Sequence, residues 1–531
     1  MSSIILQHVD FNYDGPYNDV FTDLSLVMDT SWRTGLVGRN GQGKSTLLNL
    51  LAGHLEPSAG SLELSEQTLY FPMPVDRSLN TLDAILDAIA PFRYWEARME
   101  ELLADGSEQA LIEYSEIQEQ YQARGGYEIV ANIEQEFHRL DLPSSMMARP
   151  FGSLSGGEQT RAMITALFVQ EGYFALIDEP TNHLDIRGRQ QMAAYLASKP
   201  GFLLVSHDRR FLDEAIDHVV SINLSDVRVN RGNYTSWKTS MEEIELHEER
   251  TRTNIERSVK QLKRAALQRR EGSLSRERDK HNNDASKGGS ALLDKGFIGH
   301  RAAKQMKKAL NFERRVEGQL EEKQSLLKNK NKSRELKLET REDAPEILLG
   351  IHNLCVSFDE KPIIEDLSLS LHKGDRIAVV GPNGSGKSTL FNVIAGDLEA
   401  GSGVVARAGH VRYSRAYQHP LWARGEIRDH LSKAGYDETR FRQILGSFGV
   451  RGDVFDRPLE TYSEGQRKKV DLCRSMMSDA EFFLWDEPMN YIDVLSREQI
   501  EKAILEFQPT IIFIEHDVQF VEQVATGILS L

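Results

Sequence analysis

Gly38-Arg39-Asn40-Gly41-Gln42-Gly43-Lys44-Ser45-Thr46 returns, in altered form, as Gly381-Pro382-Asn383-Gly384-Ser385-Gly386-Lys387-Ser388-Thr389. Both stretches read G-x-x-x-x-G-K-S. Each follows a short apolar run, Gly35-Leu36-Val37 or Ile377-Ala378-Val379-Val380. Each precedes apolar residues at helical spacing: Leu47, Leu48, Leu50 and Leu51, or Leu390, Phe391, Val393 and Ile394. Strand, glycine loop, helix is the setting in which such a loop wraps phosphates. The glycines let backbone N–H groups converge, the lysine neutralises β- and γ-phosphate charge, and the serine hydroxyl ligates Mg²⁺. Two occurrences, both in context, predict two nucleotide sites in one α/β chain. The expected contacts are Gly38, Asn40, Gly41, Gly43, Lys44, Ser45 and Thr46, then Gly381, Asn383, Gly384, Gly386, Lys387, Ser388 and Thr389.

A chain of 531 residues leaves room for roughly three domains. No apolar run approaches the ~18 residues of a membrane span. Met1-Ser2-Ser3-Ile4 leads straight into a strand pattern, which predicts no signal peptide and a cytoplasmic protein. Cys355 and Cys473 are the only cysteines and lack metal spacing, so both are expected as reduced, buried thiols. The net charge of −16 hides an asymmetry. Between Arg250 and Arg315 stand 19 Lys and Arg against 7 Asp and Glu. A basic element mounted on acidic bodies predicts a phosphate-seeking segment.

Residues 4–8 and 24–28 read as strands, as do Ser61-Leu62-Glu63-Leu64 and Thr68-Leu69-Tyr70-Phe71. A polar, helix-favouring stretch runs from about Phe92 to Phe137. Leu154-Ser155-Gly156-Gly157-Glu158 then has the form of an ABC signature, and from here the chain resembles the ABC family. Phe174-Ala175-Leu176-Ile177-Asp178-Glu179 resembles a Walker B strand, Leu184-Asp185 a D-loop, and Leu203-Leu204-Val205-Ser206-His207-Asp208 a switch-histidine strand. The set recurs as Ser463-Glu464-Gly465-Gln466, Phe483-Leu484-Trp485-Asp486-Glu487, Asp493 and His516.

Ser155 and Ser463, Asp178 and Asp486, and Asp185 and Asp493 are each 308 residues apart, whereas Gly38 and Gly381 are 343 apart. The first copy therefore holds 35 extra residues between its loop and its signature. They are expected as a helical insertion within about 92–137. The second copy is expected to end early, without a counterpart of the segment through Gly232-Asn233-Tyr234. The predicted organisation is one nucleotide-binding domain over 1–237, a basic α-helical hairpin linker over 238–345, and a second nucleotide-binding domain over 346–531. Ile255, Val259, Leu262 and Ala266 keep helical spacing, as do Ala303, Met306 and Leu310. The glycine-containing stretch 271–300 is expected as the hairpin's tip loop.

The resemblance implies that the two domains of one monomer close head to tail around two ATP molecules. Lys44 and Ser45 would face Ser463 and Gly465, while Lys387 and Ser388 would face Ser155 and Gly157. It implies Mg²⁺ held by Ser45, Asp178, Ser388 and Asp486. Glu179 and Glu487 would activate the attacking water, with His207 and His516 sensing the γ-phosphate. Tyr13 and Phe358 stand where ABC proteins stack adenine; a core aromatic is the alternative. Two departures stand out. The expected loop glutamine is replaced by Met73 in the first copy and by Ala416 in the second, with Gln418 two residues on. The second signature reads Ser-Glu-Gly-Gln.

Twin ABC domains without a membrane span and with a charged linker resemble the ABC-F family. Arg276-Glu277-Arg278-Asp279-Lys280, Gly296-Phe297-Ile298-Gly299-His300-Arg301-Ala302-Ala303, Glu464-Gly465-Gln466-Arg467-Lys468-Lys469-Val470, Trp485-Asp486-Glu487-Pro488 and Ile514-Glu515-His516-Asp517 are similar to its Lsa/Vga-type antibiotic-resistance branch. That implies an ATPase of the bacterial ribosome, bound in the tRNA exit site. Its linker would reach large-subunit rRNA and peptidyl-site tRNA and protect the peptidyl-transferase centre from lincosamides, pleuromutilins and streptogramin A. Arg276, Arg278, Lys280, Leu292 and Leu293 are the expected tip contacts, the alternative being a solvated charged loop. A housekeeping ABC-F translation factor would carry the same motifs. The cytosolic ATPase of a transporter would need a membrane partner, and a DNA-repair ATPase usually bears zinc-binding cysteines.

Overall fold

The computed structural model describes residues 2–13, 19–170, 172–182, 184–223, 226–244, 344–358, 361–382, 384–450 and 452–531, with scattered positions between 246 and 264. The chain divides into two compact units, Met1–Trp237 with Arg334–Leu531, and Lys238–Ser333. The expected hairpin and tip contacts lie almost wholly outside the described residues; the backbone is helical over 234–244.

The first half contains β1 (Ser3–Asn12), β2 (Asp19–Asp29), β3 (Arg33–Val37), β4 (Ala59–Leu64), β5 (Gln67–Phe71), β6 (Tyr173–Asp178), β7 (Phe202–Val205), β8 (His218–Asn223) and β9 (Asp226–Arg231). One sheet runs β5-β6-β7-β3-β8-β9, parallel except for β9. Its central strands β6 and β7 read as continuous apolar runs because both faces are covered. A smaller antiparallel sheet runs β2-β1-β4. Helix Lys44–Leu51 is held between the two, and its Leu47, Leu48, Leu50 and Leu51 are buried. That core fixes the phosphate loop, which joins β3 to this helix.

The second half repeats the plan with β10 (Ile347–Phe358), β11 (Lys361–His372), β12 (Arg376–Val380), β13 (Ser402–Arg407), β14 (Tyr413–Ala416), β15 (Phe482–Asp486), β16 (Ile511–Ile514) and β17 (Gly527–Ser530). Its parallel sheet runs β14-β15-β16-β12-β17 and has no strand matching β9 among the described residues. Between β5 and β6 stand helices Thr81–Ile89, Phe92–Asp105, Glu108–Ala123 and Ile129–Arg139. The middle two pack as a hairpin: Arg98 donates twice to Glu113, at 2.8 and 3.1 Å, and the Tyr121 hydroxyl donates to Glu96 at 2.7 Å. Of the cysteines, Cys473 is buried, but Cys355 is only half-buried, because it lies on β10 with its Sγ accepting the Asp366 N–H on the partly solvated sheet.

No helix among the described residues is long and apolar enough to cross a membrane. Gly201, just before β7, packs against the β2–β3 turn so closely that a Cβ would lie 1.7 Å from the Thr30 carbonyl oxygen. Gly53 has a left-handed φ of +71° but open space around it. Gly201→Ala should therefore cost more than ~3 kcal/mol and Gly53→Ala about 1 kcal/mol, read as denaturant midpoints. Equal losses would contradict the packing argument.

Candidate nucleotide site

In the first loop Gly41 and Gly43 take φ of +82° and +90°; in the second, Gly384 and Gly386 take +85° and +96°. The left-handed conformation turns successive N–H groups inward, making an anion-binding concavity. Gly43 and Gly386 are also the N-caps of helices Lys44–Leu51 and Lys387–Ala395, so the positive helix ends point into the loops. A Cβ on Gly43 would approach Phe21 and Val20 to 2.6 Å. Glycine is required there by space as well as by φ.

Lys44 Nζ donates to the carbonyls of Gly38 at 2.8 Å and Arg39 at 3.3 Å. Lys387 Nζ donates to those of Gly381 at 2.9 Å and Pro382 at 2.8 Å. Each ammonium is thereby folded into its own loop. Ser45 Oγ lies 3.1 Å from Asp178 Oδ2, which Tyr70 also reaches at 3.2 Å. In the second half Ser388 is exposed and Asp486 faces Arg415 at 4.0 Å. The Tyr13 hydroxyl lies 3.1 Å from Thr46 Oγ1, and the ring is 43% exposed, edge-on to Phe11. Tyr13 is thus a loop-mouth aromatic rather than a core one. The Phe358 side chain and Asn383 lie outside the described residues.

Asp178 and Asp486 end β6 and β15, and Glu179 and Glu487 follow with φ of +52° and +46°. That conformation costs a non-glycine residue about 1 kcal/mol or more. It is held by hydrogen bonds from the Glu179 N–H to Val205 O at 2.9 Å and from the Glu487 N–H to Ile514 O at 3.0 Å. The turn swings each carboxylate toward the histidine of the neighbouring strand. His207 Nε2 lies 3.2 Å from Glu179 Oε1, though not aligned for a hydrogen bond, and His516 Nε2 lies 3.7 Å from Glu487 Oε1.

The two halves meet head to tail at the first loop. The Asn40 N–H donates to Asp493 Oδ2 at 3.2 Å, and Asn40 Nδ2 donates to Tyr491 O at 2.7 Å. A Cβ on Gly465 would lie 2.4 Å from Asn40 Nδ2, so the second signature needs glycine at this contact. A cavity of about 320 Å³ results, lined by Lys44, Ser45, Asp178, Glu179 and His207 from one half and by Ser463, Gly465, Tyr491 and Arg497 from the other. Ser463 and Ser155 cap their signature helices with capping boxes to Gln466 and Glu158. At the second loop the counterparts of Asn40 and Tyr491 are Asn383 and His183, outside the described residues; Ser155 is exposed and Gly157 half-buried.

Strand register corrects one expectation. Phe71 pairs with Ile177 and Ala416 with Trp485. Since Ile177 and Trp485 are counterparts, Ala416 matches Phe71, and Met73 matches Gln418. Gln418 Nε2 reaches Glu487 Oε2 at 3.2 Å. Only the first half lacks the glutamine; counting residues from the strand end without its register misplaced it. Asn490, which donates to the same Glu487 oxygen, was not found from the sequence, although its place three residues after Glu487 on a tight turn is a usable signal.

Burial, then the neighbouring Asp178, pushes the Glu179 carboxyl up to about 8. Burial, with Lys44 adding to it, holds His207 well below its ordinary range. Burial likewise raises Asp178 and Asp486. A raised carboxyl binds its proton more tightly folded than unfolded, so stability drains as pH rises from the ordinary 4.5 toward 8. Glu179→Gln removes that loss. Its gain in melting temperature without nucleotide should be small at pH 5 and grow up to pH 8; a gain independent of pH would contradict the assignment.

A family model described as ABC transporter matches residues 21–182 and 364–490, more than half of the chain. The energy-dependent translational throttle protein EttA of Escherichia coli strain K12 is 26% identical over 539 residues, covering 97% of this chain and 90% of that protein. The putative ATP-binding protein YdiF of Bacillus subtilis strain 168 is 26% identical over 529 residues, covering 96% and 77%. ABC transporter F family member 5 of Arabidopsis thaliana is 25% identical over 552 residues, covering 100% and 75%. Among solved structures, RNase-L Inhibitor is similar in fold at a TM-score of 0.54 and 20% identity, covering 99% of this chain and 87% of that one. The chain belongs to the ABC transporter family, as an ATPase with two ABC nucleotide-binding domains whose full-length likeness is to ABC-F proteins.

Proposed function

We propose that this ATPase works on the bacterial ribosome, bound in the tRNA exit site, with the basic segment 250–315 directed at large-subunit rRNA and peptidyl-site tRNA. The observation that carries the reading is likeness over 97% of the chain to a protein named for throttling translation. The charge pattern supports it. A surplus of 12 positive charges over 250–315, on bodies that are otherwise acidic, suits phosphate contacts whose strength falls with salt.

At each site the loop amides and Lys44 or Lys387 bind the β- and γ-phosphates of ATP. Ser463 and Gly465 complete the first site, and Ser155 and Gly157 the second. Contacts that ATP makes with a signature only in the closed form shift the population toward closure. Glu179 and Glu487 orient water and accept its proton, while His207 and His516 contact the γ-phosphate; positioning and charge neutralisation are most of what phosphoryl transfer needs. Ser45 with Asp178, and Ser388 with Asp486, offer the hard oxygen donors that suit Mg²⁺, and the 3.1 Å approach of Ser45 Oγ to Asp178 Oδ2 fits a shared cation. Bound there, Mg²⁺ would neutralise charge developing on the β- and γ-phosphate oxygens. Tyr13, and by repeat position Phe358, take the adenine.

Protection of the peptidyl-transferase centre from lincosamides, pleuromutilins and streptogramin A is the finer reading, carried by the segments similar to the Lsa/Vga branch. The likeness to the throttle protein favours a second reading, a translation factor without a drug role. Glu179→Gln with Glu487→Gln should stop hydrolysis and leave the protein pelleting with ribosomes in ATP. Sedimentation away from ribosomes would sink the ribosomal reading. Exchanging residues 271–300 for the tip of a housekeeping relative should abolish drug resistance; resistance that is unchanged, or absent from the start, leaves the second reading.

A further inference from the structure

The second signature helix, Glu464–Met477, does more than present its N-terminus to the first site. Three polar side chains on its buried side grip the segment that carries Gln418. Lys468 Nζ donates to Tyr417 O at 2.6 Å and to Asp486 O at 3.0 Å. Asp471 Oδ2 accepts the Tyr417 N–H at 2.9 Å, and its other oxygen accepts from Arg474 Nε at 2.9 Å. Arg474 in turn donates to Arg415 O. Lys468 is 1% exposed and Asp471 fully buried. Both backbone groups of Tyr417 are therefore taken by one helix, and the next residue, Gln418, reaches Glu487.

None of this exists in the first half. Equal offsets place Thr160, Met163 and Ala166 where Lys468, Asp471 and Arg474 stand. Sheet register places Pro72, which has no N–H to give, at the position of Tyr417, and Met73 at that of Gln418. Five positions differ together between the two halves. Burying an ammonium, a carboxylate and a guanidinium is costly unless every one is partnered, so this arrangement enforces one geometry rather than adding bulk stability.

We propose that Lys468 and Asp471 are positioning residues for hydrolysis at the second site. They fix Gln418 against Glu487 from the helix whose N-cap, Ser463, lines the first site. Phosphate held at Ser463 and water activation at Glu487 then share one rigid element, which the first half lacks. The inference rests on the site roles proposed above.

The test isolates the second site with Glu179→Gln in the full chain. There Lys468→Met should lower kcat about tenfold and leave the KM for ATP within about twofold. Gln418→Met should do the same, and the two together should lose about tenfold rather than a hundredfold, since they break one linkage. Lys468→Gln, which keeps a donor and is the second variant should the methionine fail to fold, should lose only about threefold. In the Glu487→Gln background Lys468→Met should leave the first site's rate within about twofold, which separates positioning from a damaged fold. Multiplicative losses, or a Lys468→Met rate within twofold of its parent, would overturn the inference alone. Hydrolysis surviving in Glu179→Gln with Glu487→Gln would overturn the site roles and the inference with them.

Discussion

One buried carboxylate joins the halves. Asp493 Oδ2 accepts from Lys469 Nζ at 2.5 Å within its own half and from the Asn40 N–H at 3.2 Å in the other, while Oδ1 caps helix Val494–Phe507 through Ser496 N. Burial alone would raise its protonation range, but Lys469 and Lys44 outweigh burial and keep it well below the ordinary one. A charge so deep is tolerable only with these partners in place. The first phosphate loop, the second signature helix and the D-loop helix therefore adopt one relative placement together. The first cavity exists because of that placement, and neither half encloses it alone.

The same helix carries two further cross-contacts. Glu501 pairs with Arg209, both almost wholly buried, and Glu498 accepts the Tyr234 hydroxyl at 2.8 Å. Arg209 begins the helix after His207-Asp208, and Tyr234 follows β9, which has no matching strand among the described residues of the second half. Counted from the Asp-Glu pairs, Glu501 corresponds to Ala193; counted from the histidines, Arg209 corresponds to Val518. Among the described residues the interface is thus pseudo-symmetric in its motifs and one-sided in its ion pairs.

The reach of the sequence follows from what each signal encodes. The loops, both Asp-Glu pairs and both histidines were legible because chemistry fixes their spacing and apolar strands announce their setting. Gln418 was misplaced because strand ends slip by two residues unless register is known. Lys469, Tyr70 and the clamp on Tyr417 stayed hidden, since charged residues on a helix read as a solvated face until packing shows them buried. Tyr13 was ambiguous, since an aromatic after a strand serves a core or a ligand equally well until its exposure is seen.

The buried pairs also determine how the halves can move. An ion pair such as Arg209 and Glu501 loses little when both partners return to water together, because hydration replaces what the partner supplied. It loses much at intermediate separations, where neither partner nor solvent is close. Contacts of this kind oppose small displacements more than complete ones. An interface held by Asp493, Glu501 and Glu498, at the cap and along one helix, favours two discrete placements over a continuum, which is what the proposed ATP-driven population shift requires.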